Sequence, residues 1–364
     1  MDKKKLLAQI LCGALPLSML VGCSSDGSNA TTDTTSKFQR LDTDLKVGML
    51  IGAGTIDDRS FNQGSWEGIT GTVENSKYIT PAGETESDYL VSIGNLYEAD
   101  FKFIVTPGYY FETAVFAAQD KYPDAHFVIL DGAPVDANGN TSIADNTVSI
   151  HFAEHEAGFM AGIAAATELQ TGDFGFMGGM QIPAVVRFEA GFTQGIEYAN
   201  VNLGTNVTLK SENVVYQGTF GDKAAGQQIA AQMYDRGVKV IFTAAGGTGM
   251  GAITEAKSRA NQGDEVWVIG VDSDQYLDGI YNADTNASVI LTSAIKYVDQ
   301  ATHDMIVAEV DGKFPGGQTV TFSIANDGVG LPAENPNLSE QTISTVNDIY
   351  NKVKNGEITI NESL

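Results

Sequence analysis

From Lys46 onward the chain alternates short, unbroken apolar runs with segments of helical period, and this alternation restricts its fold more than any other feature. "KVGMLIG" leads into "FNQGSWEGITGTV", "FKFIVTPG" into "ETAVFAAQDKYP", and "HFVILDG" and "NTVSIHF" into "EHEAGFMAGIAAATELQ". The pattern continues through "DFGFMGG", "SENVVYQG", "KVIFTAAG", "EVWVIGVD" and "ASVILTSAI", each followed by a segment read as helical, "QYLDGIYN" among them. A strand that is apolar on both faces is buried on both, which calls for a parallel sheet covered by helices above and below. So many units exceed one sheet of ordinary width, and 364 residues suit two domains. The expected class is therefore α/β, with two doubly wound, Rossmann-like lobes and a first crossing between them near Ala153–Gly158. No repeat with a period of roughly 20–50 residues is evident.

The start of the chain reads as an address. Lys3, Lys4 and Lys5 precede the apolar "LLAQILCGALPLSMLVG", which is short for a spanning helix and interrupted by proline. It ends in Leu20-Val21-Gly22-Cys23, which resembles a bacterial lipobox: residues 1–22 would be removed and Cys23 lipidated. Cys12 would leave with the peptide, so the mature chain would keep no free thiol, excluding disulfide, zinc–cysteine and thiol chemistry. Residues 23–44, polar and without apolar period at first, are expected to form a flexible spacer. The expected location is the extracytoplasmic face of the cell membrane, held by lipid alone. A net charge of −25 argues against nucleic-acid partners and polybasic membrane contacts.

In open α/β sheets ligands gather at the carboxyl ends of strands. The stretch "AGTIDDRSFNQGSWEGI" lies there, as do Asp131, Gly246 and Asp272. Ser60-Phe61-Asn62-Gln63 fits a capping box, which accounts for Ser60, Gln63 and one of Asp57 and Asp58 by structure alone. Phe61 and Asn62 are not explained by capping. The run "AAGGTGMGA" follows a strand and opens a helix, and the next strand ends at Asp272; this outlines a dinucleotide fingerprint. Nicotinamide cofactors are cytosolic, so for an exported chain what survives is a carboxylate placed to accept from a vicinal diol, or to cap a helix. His151-Phe-Ala-Glu154-His155 matches an inverted zinc-protease motif, yet His151 reads as strand and Glu154–Glu156 as a helix start, so a crossing between lobes is the better reading. Adjacent Asp57 and Asp58 diverge and make no shared-proton dyad. Lys296 is read as a cation reaching ligand hydroxyls or pairing with Asp272.

Taken together, "IDDRSFNQGSWEG", "YQGTFGDKAAG", "AAGGTGMG", "VIGVDSDQ" and "TSAIKYVD" resemble the basic membrane protein family of ABC-transporter solute-binding lipoproteins, with its purine-nucleoside receptors the nearest likeness. The resemblance covers Lys46 to about Val329. It implies a type I periplasmic-binding-protein fold whose lobes are joined by three hinge crossings. It implies a binding protein, not an enzyme, without cofactor or metal, acting as a monomer with an ABC permease and its ATPase. By motif, Phe61 and Phe220 would sandwich a purine, Asn62 and Asp131 would bond its edge, and Gly246, Asp272 and Lys296 would hold the ribose; Asp58 and Ser60 are further candidates. Gly52 stands where the family usually has an acid, so one contact to the base is missing. The lobes are expected at 45–152 with 273–300 and at 153–272 with 301–364. The competing readings are the same fold binding a sugar or other polar solute, and an exported metal-dependent or nucleoside hydrolase.

Overall fold

The computed structural model describes residues 37–364. The leader and Cys23 lie outside the described residues. The first half of the chain runs β1 (Val47–Leu50), α1 (Phe61–Thr72), β2 (Ser76–Ile79), α2 (Glu86–Glu98), β3 (Phe103–Pro107), α3 (Glu112–Lys121), β4 (His126–Leu130) and β5 (Thr147–Phe152). It continues through α4 (Glu154–Leu169), β6 (Thr171–Gly178), α5 (Pro183–Asn202), β7 (Asn206–Tyr216), α6 (Lys223–Asp235), β8 (Val238–Ala244), α7 (Gly247–Ala260) and β9 (Trp267–Asp272). A hairpin of β10 (Ile280–Asn282) and β11 (Ala287–Ser288) precedes β12 (Ile290–Lys296). The chain closes with α8 (Val298–Val310), β13 (Gln318–Phe322), β14 (Val329–Gly330) and α9 (Glu340–Lys354).

Two six-stranded sheets result, ordered β2-β1-β3-β4-β5-β13 and β7-β6-β8-β9-β12-β14. Their pairings are parallel except at β14, which runs antiparallel to β12. The period of two along the strands explains the apolar runs. In β3, Phe103 and Val105 face one core while Ile104 faces another under α2 and α3. In β8, Val240 and Phe242 face the first core and Ile241 the layer under α6 and α7. That first core continues from one lobe into the other. Among the described residues no helix is long and apolar enough to cross a membrane.

Pairing also decides which segments belong to which lobe, and here the expected boundaries need correction. β12 pairs with β9, so residues up to Lys296 complete the second sheet rather than the first. β13 pairs with β5, and α8 packs on α1, so residues 298–322 return to the first lobe rather than staying in the second. An apolar run shows that a strand is buried but not which sheet receives it. The chain therefore crosses three times: at Ala153, at Tyr297 and between β13 and β14. This is the type I, two-lobed arrangement. Two other expectations change. "QYLDGIYN" is a turn leading into β10 rather than a helix. The end of the expected spacer is packed: Phe38 stacks on His303 at 4.3 Å, Lys37 pairs with Asp299 at 3.1 Å, and the Leu41 amide donates to Thr72.

Candidate ligand-binding site

The carboxyl ends of both sheets face one another across a cavity that takes its walls from both lobes. Phe61, Asn62 and Asp131 line it from the first lobe, and Phe220, Gly246, Asp272 and Lys296 from the second, with Asp58 and Ser60 also at its wall. The two lobes contribute by the same device. Asp131 follows β4 and Asp272 ends β9, the fourth strand of each order, and both take left-handed backbone, φ 56° and 63°. That turn lifts each carboxylate off its strand end, in a region where Asp is tolerated better than most residues.

The start of α1 differs from the expected capping box. Ser60 makes no side-chain cap. Asp58 does that work, accepting from the amides of Ser60 at 2.9 Å, Asn62 at 3.0 Å and Gln63 at 3.1 Å. Burial nevertheless pushes its carboxyl up to about 6, against those three amides. Relieved of capping, the Ser60 hydroxyl donates to Asp272 in the other lobe. The Asn62 amide donates to the Ala53 carbonyl at 2.9 Å, which fixes its orientation beside the cavity.

Lys296, 2% exposed, is the electrostatic centre. Its ammonium donates to Asp131 and lies 3.1 Å from Glu154, and it sits 4.7 Å from the ring centres of Phe61 and Phe152. Burial works against its charge, but Asp131, Glu154 and Asp272 outweigh that and hold it above the usual lysine range. Glu154 also accepts from Arg187 at 2.6 Å; its burial is overcome by Lys296 and Arg187, which keep it below the usual range. Two cations thus face three acids, and the excess falls on the other two. Burial pushes Asp131 up to about 7, with Lys296 opposing and Glu154 adding, and raises Asp272 in the same way. One Asp131 oxygen, Oδ1, has no partner. The direct partners of Lys296 are Asp131 and Glu154 rather than the expected Asp272.

Phe220 is placed by glycines and by one threonine. A Cβ on Gly179 would fall 2.3 Å from its ring, so only glycine admits the ring there. Thr248 holds the loop: its amide donates to the Phe220 carbonyl at 3.0 Å and its hydroxyl to the Thr219 carbonyl at 3.1 Å. The glycines of "AAGGTGMG" serve this packing. A Cβ on Gly247 would lie 3.0 Å from the Phe220 carbonyl, and one on Gly251 2.0 Å from the Lys223 carbonyl of α6.

The sequence did not point to several neighbours. Tyr109, Tyr110 and Phe188 line the cavity, and Gln275 bridges the lobes by donating to the Arg59 carbonyl at 2.9 Å. Glu154 starts α4, as its sequence suggests, and is also the buried partner of both cations. An alternation of strand and helix carries no signal for aromatic residues in a three-residue turn after β3, or for a glutamine three residues past a strand end. His151 is in β5 and His155 in α4, and among the described residues no group of three His, Cys, Asp or Glu side chains could hold a metal.

Comparison with known proteins places this geometry. The family model described as "ABC transporter substrate-binding protein PnrA-like" matches residues 45–363. A relative from Listeria innocua, named a CD4+ T-cell-stimulating antigen, is 34% identical over 96% of this chain and 98% of its own. One from Lactococcus lactis, named an ABC transporter nucleoside-binding protein, is 33% identical over 98% of this chain and 99% of its own. Among solved structures, an ABC transporter solute-binding protein from Aeropyrum pernix superposes with a TM-score of 0.73 at 25% identity, covering 86% of this chain and 92% of that one.

Proposed function

The chain belongs to the PnrA-like family of ABC transporter substrate-binding proteins, and on that premise we propose that it captures a purine nucleoside at the outer face of the cell membrane, tethered by lipid on Cys23, for an ABC importer. The observation that carries the reading is the pair of aromatic rings, Phe61 from one lobe and Phe220 from the other, on a single cavity with carboxylates at its wall. Two aromatic faces suit a flat heterocycle of any sequence of edge groups, and the polar residues then select among them. Asn62 and Asp131 would read the base; Oδ1 of Asp131 is free to accept from a base N–H. Asp272, Lys296 and Gly246 would hold the ribose. The name of the Lactococcus lactis relative supports the ligand class. Buried groups that pair with the right ligand reject those leaving them unpaired. No step of this scheme is catalysis; the work is capture and delivery to a permease and its ATPase.

The test is mass spectrometry of ligand retained through purification, followed by calorimetric titration with adenosine, guanosine, inosine, arabinose and xylose. A retained or tightly bound nucleoside supports the reading. Binding of a pentose with no response to any nucleoside would replace it with the sugar reading. A nucleoside converted to free base and ribose would replace it with a hydrolase.

A further inference from the structure

Position 52 does not face the cavity. A Cβ on Gly52 would lie 3.2 Å from Tyr110 Cδ2 and 3.2 Å from the Phe111 ring, and Gly52 is not among the lining residues. Tyr110 rests on a second glycine as well: a Cβ on Gly108, which has φ 114°, would also lie 3.2 Å from Cδ2. Gly52 and Gly108 therefore form a seat into which the Tyr110 ring fits, next to Ala53, whose carbonyl orients Asn62. Tyr109 packs on the Tyr110 ring with centroids 4.2 Å apart, and Phe111 behind it is fully buried. The Tyr110 hydroxyl reaches across the cleft to Met180 Sδ at 3.1 Å. Met180 lies between β6 and α5, in the other lobe.

We propose that Tyr110 is a specificity-determining residue: its ring, seated over Gly52 and Gly108, is the end wall beside Asn62 that limits the size of the base substituent, and its hydroxyl fastens that wall to Met180 of the opposite lobe. The size limit rests on the nucleoside reading; the fastening does not. A Cβ at 52 would press on the Tyr110 ring at 3.2 Å, so a side chain there requires the ring or Phe111 to give by a few tenths of an ångström. Burial holds the Tyr110 phenol above its usual range, as a hydroxyl enclosed by both lobes requires.

Two measurements test the halves separately. For size, wild type, Tyr110→Ala and Tyr110→Leu are titrated with adenosine, N6-benzyladenosine and 2-phenylaminoadenosine. Wild type should prefer adenosine by tenfold or more, and removing the ring should shrink that preference at least fivefold for one bulky analogue. An unchanged preference in folded variants overturns the wall. For fastening, the protein is labelled with 3-fluorotyrosine, and the Tyr110 resonance is identified by its loss in Tyr110→Phe. Met180→Leu should shift that resonance; no shift overturns the contact. If wild type binds no nucleoside, the nucleoside reading and the size limit both fall, while a shifted resonance still supports the fastening across the lobes.

Discussion

At the scale of single residues the site is a balance of charge held inside an aromatic frame. Phe61 and Phe220 face the cavity from opposite lobes, so Phe61→Ala and Phe220→Ala should each weaken nucleoside binding by about 1–3 kcal/mol, the usual loss of a stacking face. Calorimetry with adenosine, guanosine and inosine reads this, and unchanged affinity for every nucleoside that binds would remove the sandwich. Asp131 gives a prediction of different character. Its folded-state value near 7 lies above the 3.8 of an unperturbed carboxyl, so between those values the folded protein binds more protons than the unfolded chain. Stability of the ligand-free protein therefore falls as pH rises through that window. Asparagine carries no such proton, so the melting temperature of Asp131→Asn relative to wild type should rise between pH 5 and pH 8. Parallel profiles would mean that Lys296 keeps Asp131 ionised throughout. The groups facing Asp131 are Lys296 and, more distantly, Glu154 and Asp272.

Among the elements, the closest approach belongs to α4 and α5. A Cβ on Gly191 would lie 1.9 Å from the His155 carbonyl, and one on Gly162 2.6 Å from that of Phe192. Backbone, not a flexible side chain, stands in the way, so a methyl group can be admitted only by separating the helices. Gly191→Ala should cost about 1–3 kcal/mol, the range for overpacking, read as a lower denaturation midpoint in urea. α5 also supplies Ala184, Val185 and Phe188 to the cavity and Arg187 to Glu154, so a shift of that helix should weaken ligand binding too. A midpoint equal to that of wild type would show that the helices part at no cost. The edge strands show where reading for apolar runs stops. β2 and β13, "SKYI" and "QTVTF", are polar and partly exposed, and neither gives an unbroken apolar run, although both are paired along their length.

For the whole molecule, the two lobes meet through contacts that span the cleft: Ser60 to Asp272, Asp131 to Lys296, Tyr110 to Met180 and Gln275 to Arg59. The crossings are themselves tied together. Glu154, just past the first, forms an ion pair with Lys296, just before the second, and Glu156 accepts from the Ile324 amide within the third at 2.6 Å. Lobes that share a braced hinge and line one cavity together suit closing around a ligand, and we propose that they do so. A ligand that bridges both halves favours the closed form by its difference in affinity for the two forms. Small-angle scattering should show a smaller radius of gyration with adenosine than without. No contraction, with binding measured in the same sample, would mean a rigid cleft.

The alternation of buried strands and helices is written along the chain, because burial on both faces demands apolar residues at every strand position. The class, the two lobes and the strand ends that carry Asp131, Gly246 and Asp272 followed from it, and the family motifs led to Phe61, Asn62, Phe220 and Lys296, all of which the structure brings to one cavity. What the sequence could not contain is which distant pieces meet. β12 and β13 exchange lobes relative to the order in which they are read, since pairing depends on edges hundreds of atoms away in the chain. Ser60 reads as a helix cap but serves the other lobe, because Asp58 reaches the same amides first. The Tyr110 wall rests on two glycines 56 positions apart that come together against one ring. Local pattern records what each segment must bury; partners across a cleft are chosen only when the segments assemble.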